Sequence, residues 1–96
     1  MKTLIVEFRA GREVEEIVEY YEAKEHGLGV AFQSHLKSAF LSIRRSPEAF
    51  GHDSVTGTRT YRLKRFPHIV HYLIEEHEIV VMAVAHPKRK PGYWRR

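Results

Sequence analysis

Residues 58–64, 68–75 and 78–85 are three strand-forming runs, separated only by Arg65, Phe66 and Pro67 and then by Glu76 and His77. A parallel return needs a crossover of a dozen or more residues, so gaps this short leave only an antiparallel meander. The last run is apolar at every position from Ile79 to Ala85. A strand with no polar side is covered on both faces, which places it inside the sheet.

Upstream, residues 3–8 are rich in strand formers and end near a glycine, which predicts a first strand. In the next segment Val14, Ile17, Val18 and Tyr21 recur at helical spacing, with Glu15, Glu16, Glu19 and Glu22 on the wet side. Glu13, Glu15 and Glu16 then suit the positive end of that helix. Gly27, Leu28 and Gly29 break the pattern. A second helix is predicted over 29–45, with Phe32, Leu36, Ala39, Phe40 and Ile43 as its apolar stripe. Arg44 and Arg45 complement its negative end, and Ser46 and Pro47 stop it. Two helices joined by so short a break fold back as a hairpin. Residues 48–57 are loop-like and carry no phosphate-loop signature. The expected class is α+β: an N-terminal strand, an α-helical hairpin, then a three-stranded antiparallel meander forming one sheet packed on the helices.

At 96 residues the chain has room for one domain, 1–96, of which 86–96 is a basic, irregular tail marked by Pro87 and Pro91. It has no cysteine, which excludes a disulfide framework and a thiolate metal site and suits a reducing cytoplasm. No stretch approaches the roughly 20 apolar residues of a membrane helix, so neither secretion nor membrane insertion is expected. The formal charge of +4 is unevenly spread. Residues 1–26 carry four Lys/Arg against seven Glu, whereas 57–68 and 86–96 together hold nine of the 16 Lys/Arg and no acid. If folding joins these two blocks, they make a patch for RNA or for an acidic partner protein; apart, they are a solubilising surface.

Side chains alternate along a strand, so Arg62 and Lys64 share one face of run 58–64 while Tyr61 and Leu63 share the other. Helices covering one sheet face leave the second free, and the arginine face is expected to be the open one. His86 follows the last strand directly. His68 and His71 lie three apart and point to opposite faces. With no thiol and no His-x-His spacing, neither a metal site nor a cofactor is expected.

The order of these pieces resembles the RelE/ParE toxin superfamily. The resemblance is carried by Tyr20, Tyr21 and Glu22 with Gly27, Leu28 and Gly29, then Ile43 and Pro47, then Arg62 to Pro67, and finally Ala83 to His86 through Pro91, Gly92, Tyr93 and Trp94. It implies a small toxin of a type II toxin–antitoxin system, of the plasmid-stabilisation kind, wrapped and neutralised by a cognate antitoxin. RelE-like members cleave messenger RNA in the ribosome, and ParE-like members inhibit DNA gyrase without chemistry of their own. Both activities use one fold, so fold alone does not choose between them. A non-toxic nucleic-acid-binding domain is the blander alternative.

Cleaving RNA without a metal needs a charge to hold the phosphate and a group to move a proton. The resemblance matches Arg62 to the strand arginine of RelE-like toxins and His86 to the residue after the last strand; Tyr93 matches more loosely. Lys64 and Arg59 complete the catalytic candidates. Arg65, Lys88, Arg89, Lys90, Trp94 and Arg95 are the candidates for holding nucleic acid or a partner. Convergence of Arg62, Lys64 and His86 on one phosphate favours RNA cleavage, while the lack of a carboxylate where some relatives use a glutamate base favours gyrase inhibition. Each residue also has a structural role open to it: His86 as a strand-end hydrogen bonder, Arg62 as a tie to the tail or antitoxin, Tyr93 and Trp94 as tail anchors, and Tyr20 and Tyr21 as helix-packing side chains.

Overall fold

The meander forms as the short gaps require. In the computed structural model, which describes residues 1–90 and 92–94, strands β3 (Thr58–Arg62), β4 (Ile69–Ile74) and β5 (Glu78–Ala85) pair in antiparallel order. β1 (Thr3–Val6) adds to the other edge of β5, in parallel. The complete sheet runs β1-β5-β4-β3-β2, so β5 is flanked on both sides, as its unbroken apolar run predicts. The α+β arrangement of strand, helical hairpin and meander is therefore the observed one. It gains a fifth strand, β2 (His52–Asp53), inside the segment read as loop. Two paired residues leave no periodic signal; the hairpin is made by Asp53, whose side chain accepts from Val55 N (2.9 Å), and by Gly57 at φ 75°.

The first helix begins earlier than its stripe indicates. α1 spans Phe8–Lys24, with Glu7 as its N-cap, the Glu7 carboxylate accepting from Arg9 N at 3.0 Å. Its first turn contains no acid, so Glu13, Glu15 and Glu16 lie a full turn or more inside the helix rather than at its positive end. The strand is correspondingly shorter than 3–8. α2 spans Leu28–Arg45. The turn between the helices is tied by Glu22, whose carboxylate accepts from Gly27 N (2.8 Å) and Gly29 N (3.0 Å), with Gly27 in the left-handed region at φ 89°. Those bonds, led by the one from Gly27, lower the Glu22 pKa.

The core lies between the hairpin and one sheet face: Phe32, Leu36, Ala39 and Ile43 of α2 meet Val70 and Tyr72 of β4 and Ile79, Val81 and Val84 of β5. A bulge between His71 and Tyr72 of β4 pairs them with Ala83 and Val81, so Met82 has no opposite number. The register consequently turns Val84 toward the helices, and Ala83 and Ala85 away. Buried Tyr72 sends its hydroxyl to Pro47 O (2.6 Å), which anchors the 3-10 turn Pro47–Ala49. No helix among the described residues is long and apolar enough to cross a membrane.

At Gly29 the two helices lie in close contact. A Cβ there would stand 2.8 Å from the Val18 carbonyl oxygen, a backbone atom that cannot swing away. Alanine gains about 1 kcal/mol of helix propensity over glycine, but crowding a packed interface costs about 1–3 kcal/mol. Gly29→Ala is therefore expected to lower the urea midpoint, and a raised midpoint would show that the helices can part freely.

Candidate functional site

A cleft of about 530 Å³ runs between α1 and the end of β5, within the range of small-molecule and peptide-anchor sites. Helical spacing puts Glu13, Ile17, Tyr20 and Lys24 on one wall. His68 and His86 line it from the sheet, and Arg89 and Tyr93 close it from the tail. Tyr21 packs on Phe32 and Phe66, as a core residue should, while Tyr20 is more than half exposed and faces the opening.

Glu13 organises this cleft and was not singled out by its sequence context beyond the helix dipole. Its carboxylate accepts from Val84 N (3.1 Å) and from the Tyr93 hydroxyl. Burial raises its pKa, against the opposing pull of the Val84 hydrogen bond and of Arg89. The available signal was its place three residues after buried Ala10 and four before Ile17, on the border of the apolar stripe. A carboxylate thus does stand beside His86 and Tyr93, supplied by α1 rather than by the strands.

His68 is a second cleft residue whose place its sequence spacing does not reveal. It precedes β4 in step with Val70 and Tyr72, so its ring faces the helices, edge-on to Tyr21 and Phe32. Its Nδ1 is buried without a partner. Burial, reinforced by neighbouring His86, pushes its pKa down to about 4. His71 faces the other way, its Nδ1 3.2 Å from the Thr58 hydroxyl. The described residues contain no group of three or more His, Cys, Asp or Glu able to hold a metal ion.

The remaining candidates are divided by the sheet. Arg62 pairs with Ile69, which pairs with Ala85, so all three side chains lie on the face away from the helices. His86 lies on the helix side, its ring 5.6 Å from that of His68. Register alternation thus starts Arg62 and His86 from different sides of the sheet, although His86 also borders the cavity lined by Ile69, His71 and Ala85 on the face away from the helices. Arg59 shares the helix-side face but is committed elsewhere, donating to Glu48 O (3.2 Å) and Phe50 O (2.9 Å). Lys64 lies beyond the end of β3; it and Arg65 are exposed on the turn that buried Leu63 and Phe66 pin to the core.

The Ile69–Ala85 pairing brings the two basic blocks to the same end of the sheet, with Lys88, Arg89 and Lys90 exposed beside the Lys64 turn. Arg89 stacks over the Tyr93 ring at 3.8 Å. Trp94 is buried against His71, with ring centroids 4.3 Å apart, so the face expected to be open is partly covered by the tail itself. Arg95 lies outside the described residues.

The family model for the ParE toxin of the type II toxin–antitoxin system parDE matches residues 4–91. Among solved structures, the chain resembles one described as the chromosomal ParDE toxin–antitoxin system from P. aeruginosa, with a TM-score of 0.80 and 17% identity. The alignment covers 90% of this chain and 96% of that one; at this identity the likeness is one of fold. Comparison with curated proteins gave no match.

Neutral His68 links the fold to acidity. Its folded pKa lies below the ordinary 6.5, so its contribution is fully present above pH 6.5 and is lost as pH falls toward 4. The interval corresponds to about 3 kcal/mol. Urea unfolding at pH 7 and at pH 4.5 should show a fall of that order, and His68→Leu should remove most of it. An equal fall in the variant would assign the acid sensitivity elsewhere.

Proposed function

Because the chain belongs to the ParE toxin family of type II toxin–antitoxin systems, we propose that it is the toxin of such a pair and acts in the cytoplasm by occupying DNA gyrase rather than by cutting RNA. The observation that carries this reading is the division of the candidate chemistry by the sheet. Arg62 starts from the face away from the helices, the His86 ring packs beside His68, and Arg59 is spent on two carbonyls, an arrangement that argues against a strand arginine and the histidine sharing one phosphate. A toxin that binds and blocks needs no such convergence; it needs a shaped, charged surface. The end of the sheet supplies one, with Lys64, Arg65, Lys88, Arg89 and Lys90 in one neighbourhood.

The same basic end suits an antitoxin with an acidic segment, whose grip weakens as salt screens the attraction. RNA cleavage at the ribosome is the second reading, and one observation favours it: Glu13, Tyr93, Arg89 and His86 line one cleft, and burial raises the pKa of the Glu13 carboxylate, as it does for groups that take part in proton transfer.

Expression of the chain alone should arrest bacterial growth, and coexpression with an adjacent antitoxin should restore it. After brief induction, purified gyrase should lose supercoiling activity while messenger RNA ends within translated regions stay unchanged. His86→Ala and Arg62→Ala should each retain most of the toxicity. In a ribonuclease each would lower cleavage by about 10²-fold or more, so that loss, accompanied by new transcript ends, would reverse the choice.

A further inference from the structure

β1 is an edge strand, with no strand beyond it among the described residues. Edges are normally protected by a charge, a proline, a bulge or a covering segment. Thr3–Val6 holds neither charge nor proline, and its register with β5 runs unbroken. The opposite edge, β2, is only two residues long and carries Asp53. Large apolar side chains also gather at the β1 edge and stay in water: Met1 (85% exposed), Phe8 (74%), Ile5 (40%) and Val6 (39%).

The ladder with β5 fixes which backbone groups remain open. Alternate residues of a parallel strand address the neighbouring strand, and Glu7 N donates to Val81 O (2.9 Å), so Thr3, Ile5 and Glu7 turn their backbone groups toward β5. Leu4 and Val6 therefore turn both amide and carbonyl outward. The outward carbonyl before them, on Lys2, is already held by Arg44 Nε at 3.2 Å. The open ladder is thus two donors and two acceptors long, bounded by Arg44 at one end and by the start of α1 at the other.

That pattern is its own complement. We propose that the β1 edge pairs with the β1 edge of a second copy of this chain, antiparallel about a two-fold axis through Ile5, so that the two sheets become one with both helical hairpins on the same side. Leu4 then meets Val6 of the second copy, Val6 meets its Leu4, and all the open groups are used in four hydrogen bonds. Ile5 meets its own copy at the narrow position of the ladder, where Cα atoms stand about 4.5 Å apart. Leu4 packs on the core, so the two Ile5 side chains touch on the face away from the helices. An axis through Leu4 would instead set Val6 opposite Lys2, whose carbonyl Arg44 already holds. Charge agrees with the first register. Arg9 borders the cleft on the face away from the helices, and the pairing brings it toward the end of the other sheet, where Glu78 stands beside Thr3. The two Lys2–Arg44 ends stay about 20 Å apart, six strand residues. A contact this short belongs to the weak, transient class of interfaces.

The chain has no cysteine, so one introduced thiol reports the axis. Under mild oxidation Ile5→Cys should form a disulfide-linked dimer about 10-fold faster or more than Val55→Cys, on the exposed turn beside β2, because only the first holds two Cα atoms within the span a disulfide bridges. Sedimentation of the unaltered chain between about 1 μM and about 1 mM should show monomer giving way to dimer. Val6→Pro removes one outward amide at an edge position, where proline is tolerated, and should keep the chain monomeric with unchanged far-UV circular dichroism. Equal cross-linking of the two cysteine variants overturns the proposal, as does a dimer that Val6→Pro leaves intact. A chain monomeric throughout, whose Leu4 and Val6 amides gain hydrogen-exchange protection only with an antitoxin bound, assigns the edge to that protein and overturns it equally. If Val6→Pro does not fold, the cysteine pair decides.

Discussion

Everything at the functional end of the molecule hangs on one aromatic contact group. Phe32 of α2 stands edge-on to Phe66 at 5.2 Å and to His68 at 5.3 Å, and Tyr21 of α1 completes the group at 4.9 Å from Phe66. Such contacts add to burial by fixing ring geometry. They join both helices to the turn between β3 and β4, and that turn is what presents Lys64 and Arg65. Because His68 belongs to the group and touches His86, the same packing sets the position of the first tail residue. The core, the basic turn and the start of the tail are therefore one mechanical unit.

That arrangement carries an electrostatic cost. His68 sits among hydrocarbon rings with an unpartnered nitrogen, which an apolar residue would avoid. Glu13 is likewise drawn half out of water to hold a β5 amide and the Tyr93 phenol. Proteins keep such groups where function outweighs stability, and both line the cleft along α1. The strand arginines, by contrast, are either solvated, as Arg62 is, or spent on the backbone, as Arg59 is.

Much of the fold was legible because the signals were periodic or forced by chain length. The gaps at 65–67 and 76–77 left the meander no alternative, and the unbroken apolar run from Ile79 placed β5 inside the sheet. What escaped had no period to read. β2 pairs over two residues, and the start of α1 depends on one cap at Glu7 rather than on the stripe beginning at Val14. Of the residues singled out from sequence, His86, Arg89 and Tyr93 line the cleft along α1, but which face each would use was not legible. The alternation that correctly separated His68 from His71 also starts Arg62 and His86 from different sides of the sheet, near as they are in register. Glu13 could not be assigned because its partners, Val84 and Tyr93, lie more than 70 positions away.

The parallel pairing of β1 with β5 sets an order in time. Thr3 aligns with Glu78 and Val6 with Val81, so β1 has no partner until β5, far along the chain, has followed it. Contacts this distant in sequence close late in folding, and domains synthesised from the N-terminus wait for their last element. Until then the helical hairpin has only part of a sheet to pack against, and neither the basic turn nor the tail has a platform. A nascent chain of this architecture cannot complete its sheet until β5 has been made. The sheet is first complete only after β5 has cleared the exit tunnel.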